Sequence, residues 1–395
     1  MQSGLIWRDE IPSLAPRADT AIEWWFVQGR IAGPRMGPRH VMTALFRIHA
    51  LDGSAPYGAM LLQHTVEEST GRSWLHSRVT PHTLTHHRQI AGRVAMGSLP
   101  APARGLALRQ HLARADDWAR RSGVVVDEAS PRFRETPFGV DWNGFELARS
   151  SGGLDMRVAV GPDEFAGLAL RPESAWLDER SERLHDALGP AFGYQCCPRL
   201  SATGTAGDDP VTGQFWLDRQ WGRYEGLLLA PAGGGYRLLG WDWFGLNLDD
   251  GTDLMAFQQR DAARAHNGIS FAVVFKDGRP QLRRRVDATP SRYWTSPRSG
   301  ARYPVGWTLD LPEEGLAGEI RPLLDDQEIP VYGTTAIWEG AVRFEGTTPA
   351  GPVGGDGRLE LVGYGTPLTL GAQLGRSLSR LGTSVSAGLR RLRAG

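Results

Sequence analysis

Three short segments concentrate acids among indoles: Glu23-Trp24-Trp25-Phe26, Phe215-Trp216-Leu217-Asp218-Arg219-Gln220-Trp221-Gly222 and Trp241-Asp242-Trp243-Phe244. A carboxylate against an apolar wall must be paired or must hold its proton above the usual range, so such clusters mark either a structural ion pair or a site for acid–base chemistry. If these segments are strands, alternate residues share a face, which puts Trp216, Asp218 and Gln220 on one side and Leu217, Arg219 and Trp221 on the other. Asp218 is then an acid inside an aromatic pocket. Asp242 points away from Trp241 and Trp243, and only a bulge would bring all three to one cavity. The competing reading pairs Asp218 with Arg219 or another arginine and makes it a structural group.

Other chemistries have weak support in the sequence. Lys276 is the single lysine and lies in a Lys-Asp-Gly turn, which removes a phosphate-loop lysine and a Schiff-base lysine. The formal net charge is zero with mixed signs, so the basic face of a nucleic-acid binder is missing. His82, His86 and His87 have no neighbouring acid or cysteine to complete a ligand set, and Pro81, Thr83 and Thr85 suggest a loop or strand there; no metal is expected. There is no Gly-x-Ser-x-Gly nucleophile elbow. Cys196 and Cys197 are adjacent, read as buried small hydrophobes, and suit a reducing compartment. Met1 to Glu10 has neither a basic start nor an apolar run, and the expectation is a cytoplasmic protein.

The elements that must position these residues are short strands. The 395 residues suffice for two domains, and the 50 glycines and 26 prolines favour strands joined by turns. Alternation marks strands at 21–32 and 40–50, around 57–66, at 139–148 and 154–160, and at 199–207 and 214–221. Later hairpins turn at Asp249-Asp250-Gly251 and Asp277-Gly278. Short helices are expected at 111–121 and 175–188. The reading is all-β, with antiparallel barrels or sandwiches over 1–205 and 206–370. In 371–395, Leu374, Leu378, Leu381, Val385, Leu389 and Leu392 form one helical stripe, and all five charges are arginine. Such a tail can lie on an anionic membrane surface, or pack on the barrels, with Gly375, Gly382 and Gly388 weakening it.

The chain resembles the bacterial carotenoid 1,2-hydratases (hydroxyneurosporene synthase-like) and related lipocalin-like proteins over most of 20–365. The resemblance rests on Glu23-Trp24-Trp25-Phe26 with Gly29, Trp216 to Gly222, Gly240-Trp241-Asp242-Trp243-Phe244, Asp250-Gly251, Leu254-Met255, Tyr303-Pro304-Val305-Gly306-Trp307, Gln327-Glu328, Trp338-Glu339-Gly340 and Leu359 to Tyr364. It implies two lipocalin-like (calycin) antiparallel barrels, a scaffold similar to that of kievitone hydratase-like enzymes and fungal Diels-Alderases. Two departures stand near the implied pocket: Tyr194-Gln195-Cys196-Cys197-Pro198 replaces a Tyr-Tyr-Ser-type run, and Phe26 stands where tyrosine is common.

On that basis the expected ligand is an apolar isoprenoid or polyene, with Glu23, Trp24, Trp25, Tyr194, Trp216, Arg219, Trp241, Trp243 and Trp338 around it. The expected reaction is hydration. Asp218 protonates the alkene, the indoles (Trp221 among them) steady the cation, Gln220 or Asp242 holds the water, and no metal or organic cofactor is needed. The alternatives are a cofactor-free cyclase or pericyclase, and a lipid or pigment carrier without turnover.

Overall fold

The computed structural model describes residues 5–50, 56–98, 101–178, 192–224, 229–232, 235–260, 266–332 and 335–364. The expected basic tail at 371–395 and most of the expected helix at 175–188 lie outside them; at the start of the latter, Trp176–Leu177 is a short strand.

The chain is all-β, as expected, in two large curled and mainly antiparallel sheets; the short strand Val125–Val126 pairs parallel at the edge of the first. Both are half-barrels whose end strands are not hydrogen-bonded to each other among the described residues. In the first sheet, the strand Asp209–Gly222 lies at the centre, pairing with Phe192–Ala206 on one side and Ile22–Ala32 on the other. Arg39–Ile48 follows outside Ile22–Ala32, then Gly58–Glu67. In the second sheet, Gly240–Leu248 pairs with Asp253–Arg260 and with Gly351–Val362, which in turn pairs with Thr335–Thr348. The division at 205 falls inside the Phe192–Ala206/Asp209–Gly222 hairpin, so sheet membership changes after Gly222 instead. The turn at Gly207, with φ +60°, let the sequence pass for a boundary, although it only reverses the strand.

Because strand faces alternate, each sheet buries two sets of side chains. Val27, Leu45, Leu61, Leu147, Leu170, Leu217 and their neighbours fill the first half-barrel. Phe244, Leu254, Val305, Trp307, Leu309, Trp338 and Phe344 help fill the second. The third apolar layer lies between the sheets. Trp24, Phe26, Met42, Leu62 and Trp216 come to it from the first sheet; Trp241, Trp243, Met255, Phe257 and Phe271 come from the second.

Two helices, Pro81–Ser98 and Ala101–Arg121, lie against this middle layer through Leu84, Ile90, Val94 and Ala119. Within 81–121 the sequence places a helix only at 111–121, with a loop or strand around His82, His86 and His87. The β-branched Thr83 and Thr85 count against helix, but Pro81 at the first helical position and the buried Thr80, whose hydroxyl lies 3.2 Å from that of Thr83, start one anyway. His86 Nε2 faces the carbonyl oxygen of Pro56 at 3.1 Å.

Candidate active site between the sheets

The period-2 reading of 215–222 holds. Trp216, Asp218 and Gln220 share a face, set in register against Gln28, Phe26 and Trp24 on one neighbour and, for Asp218 and Gln220, against Cys196 and Tyr194 on the other. That face looks away from the first half-barrel and onto the layer between the sheets. Across it stand Trp241 and Trp243, with Glu360 cross-strand from Trp243. Together they wall a narrow cleft that opens in part to solvent. The first sheet contributes Trp24, Phe26, Tyr194, Asp218 and Gln220; the second contributes Trp241, Trp243, Met255, Phe257, Phe271 and Glu360.

The indoles are fixed by one another and by the backbone. Trp243 meets Trp216 edge-to-face at 5.7 Å and Phe26 at 5.6 Å. Its ring lies flat over Gly245, where a Cβ would come within 2.2 Å of it, so the Trp-x-Gly spacing lets the indole fold along its own strand. Trp243 Nε1 is buried without a hydrogen-bond partner, a donor left facing this layer.

Two carboxyls line the cleft, and neither has an ion-pair partner among the described residues. Asp218 is 5% exposed. Its Oδ1 accepts hydrogen bonds from Trp216 Nε1 at 2.5 Å and from Tyr194 Oη at 2.7 Å. Burial pushes its pKa up to about 7, against the pull of those two donors. Glu360, with part of its surface open to the cleft, accepts one bond from Trp241 Nε1 at 3.2 Å. Enclosure by protein pushes it up to about 8; the Trp241 donor lowers it and the charge of Asp218 raises it. The Tyr194 hydroxyl is held well above its ordinary value by burial and by Asp218, so it donates. Cys196, cross-strand from Asp218, is fully buried with its thiol pushed far up by burial, in keeping with a small hydrophobe.

The remaining expected site residues sit elsewhere. Glu23, Trp25, Arg219 and Trp221 occupy the opposite faces of their strands. Glu23 accepts hydrogen bonds from Arg47 Nη1 at 2.7 Å, from Arg219 Nη2 at 3.0 Å and from the backbone N–H of Arg17. Arg219 also donates to the carbonyls of Ser13 and Ala15, and both Arg17 and Arg219 stack on Trp221 at 4.8 Å. This cluster fastens 13–23 to the half-barrel face of the sheet, where Trp25 Nε1 donates to the Leu14 carbonyl. Asp242 turns into the second half-barrel, where Arg260 Nε and Gln258 Nε2 reach it at 3.1 Å and Tyr364 Oη at 3.0 Å. No bulge brings it to the cleft. Trp338 is core in the same half-barrel, donating to the Asp325 carbonyl at 2.8 Å. The placement therefore separates Asp218, Gln220, Trp24, Tyr194, Trp216, Trp241 and Trp243 from the rest.

Glu360, Met255, Phe257 and Phe271 escape the site reading of the sequence. Glu360 sits in Leu-Glu-Leu-Val, which alternation marks as a strand with an outward acid; only the second sheet against it makes that face interior. Among the described residues no three His, Cys, Asp or Glu converge as a metal-ligand set, and no helix is long and apolar enough to cross a membrane.

The sequence profile of the AttH-like family matches residues 108–364. Among solved structures, an AttH protein from Nitrosomonas europaea is 26% identical, with a TM-score of 0.62 over 90% of this chain and 97% of that one. Kievitone hydratase from Nectria haematococca is 14% identical, with a TM-score of 0.57 over 91% and 94%, a likeness of fold alone. No curated protein matches the chain by sequence.

Proposed function

The chain belongs to the AttH-like family, and from that premise we propose that its inter-sheet cleft adds water across a carbon–carbon double bond of an apolar isoprenoid or polyene. One observation supports the reading above the others: two carboxyls, Asp218 and Glu360, face one aromatic cleft with hydrogen-bond donors but no cation. A carboxyl in that setting keeps its proton near neutral pH and can give it to a weak base such as an alkene; a second one can take the proton of the incoming water.

Protonation of a branched alkene leaves a tertiary cation. The faces of Trp24, Trp241 and Trp243 suit it, each contributing roughly 2 kcal/mol when water is excluded. The Gln220 amide, which lines the same cleft, can hold the nucleophilic water. The aromatic wall limits how many waters enter, which favours addition of one over general solvation of the cation.

Incubation with acyclic isoprenoids from squalene to lycopene, followed by mass spectrometry, tests the reading. The expected product is heavier by one water, and Asp218→Asn slows its formation about 10²–10⁴-fold. A product of unchanged mass identifies a cyclase or pericyclase instead. Tight binding of these compounds without any product identifies a carrier.

A further inference from the structure

The two carboxyls of the cleft differ in their surroundings, and we infer that Glu360 gives the proton to the double bond while Asp218 receives the proton of the attacking water. This rests on the hydration reading above and exchanges the role that the sequence suggests for Asp218.

Geometry separates the two acids. Both donors to Asp218 converge on one oxygen at 2.5 and 2.7 Å, and both are locked in place: Trp216 is fully buried, and Tyr194 is 5% exposed on the strand paired with that of Asp218. Two short hydrogen bonds from neutral donors favour the ionised form of the acceptor. Glu360 has a single donor, at 3.2 Å. It also stands directly cross-strand from a second acid, Glu339, on the adjacent strand. Cross-strand Cβ atoms lie about 5 Å apart, so the two carboxyls cannot both ionise cheaply.

The nearby arginine relieves them only in part: its charge lowers Glu339, but burial and the charge of Glu360 outweigh it. Arg358 lies two residues from Glu360 on the same face, but its Nη1 donates to the backbone carbonyl of Glu339 at 2.7 Å, and Oε2 of Glu339 is buried with no partner. No ion pair joins Arg358 to either glutamate among the described residues. With one long hydrogen bond and an acid beside it, Glu360 retains its proton where Asp218, with two short ones, more readily gives its own up. The directions of the pKa shifts are in keeping: Glu339 is held well above its ordinary value by burial and by Glu360, and Glu360 is raised by burial and by the charge of Asp218.

The cycle balances without any oxidant or reductant. The π pair of the alkene takes the Glu360 proton, forming a C–H bond and a cation on the more substituted carbon. Water adds to that carbon and its proton passes to the Asp218 carboxylate, leaving an alcohol. The proton then returns from Asp218 to ionised Glu360 across the cleft, and the enzyme is as it began.

Infrared difference titration of the full chain from pH 4 to pH 10 tests the assignment without any substrate. The protonated-carboxyl band missing from Glu360→Gln is expected to bleach at higher pH than the band missing from Asp218→Asn. The reverse order, or a Glu360 band that bleaches in the ordinary glutamate range, overturns it. Should Glu360→Gln fail to fold, Trp241→Phe removes the only donor to Glu360 among the described residues and must move one carboxyl band to higher pH while the band missing from Asp218→Asn stays; no such movement again overturns the assignment. A correct order with no isoprenoid gaining water would sink the hydration reading while leaving the protonation order intact. Water addition with the reverse order would do the opposite.

Discussion

The space between the sheets and the interiors flanking it both bury carboxylates beside indoles, yet they neutralise them by different means. Glu23, beyond one face of the first sheet, sits between Arg47 and Arg219; Asp242, inside the second half-barrel, is held by Arg260 with Gln258 and Tyr364. Asp218 and Glu360, between the sheets, have only neutral N–H and O–H donors. A guanidinium beside a buried carboxylate offsets part of the cost of its ionised form, although burial still raises Asp242. A carboxylate without a cation has no such offset and keeps a proton that can be transferred. The local sequences are nearly alike, so the partner, not the flanking tryptophan, distinguishes a strut from a reagent.

Substitutions can break that contrast. The largest expected effect is on rate: Asp218→Asn lowers isoprenoid hydration about 10²–10⁴-fold, as loss of a proton-transfer group does, with a denaturation midpoint near wild type. Asp242→Asn is expected to do the reverse, destabilising the fold by about 3–5 kcal/mol because Arg260 is left buried and unpaired. Chemical denaturation of the two variants side by side measures the contrast directly, and equal stability losses would erase it.

Smaller effects sharpen it. Trp243→Leu removes one cation-facing indole and should slow turnover by roughly 2 kcal/mol, about 30-fold, read from kcat at saturating substrate. The pH dependence of stability should separate the regions as well. Asp218 and Glu360 have folded pKa values raised above those of the unfolded chain. The stability they contribute is complete below about pH 4 and is lost as pH rises through about 7 and 8. Between pH 6 and pH 9 the melting temperature of Glu360→Gln should therefore gain several degrees on wild type.

Strand alternation, a property of the backbone that needs no tertiary contact, already placed Trp216, Asp218 and Gln220 together and set Arg219 and Trp221 apart from them. It also put Asp242 opposite Trp241 and Trp243. Those statements hold residue by residue, because pleating is local and aromatic and β-branched residues favour it. The helix Pro81–Ser98 was hidden for the converse reason: Thr83 and Thr85 disfavour helix locally, and packing of Leu84, Ile90 and Val94 on the middle layer outweighs them.

The sequence by itself thus determined the all-β class, the two sheets and the division of each strand into two faces. It could not determine which face would be closed over by the other sheet, since that depends on strands far apart in the chain. Only the tertiary structure set Glu360 across the cleft from Asp218, gave Asp242 its arginine and left the inter-sheet acids without one. Charge compensation is a long-range property: burial raises the cost of every ionised carboxylate, and whether a guanidinium arrives to offset it is decided by packing, not by neighbours in the chain.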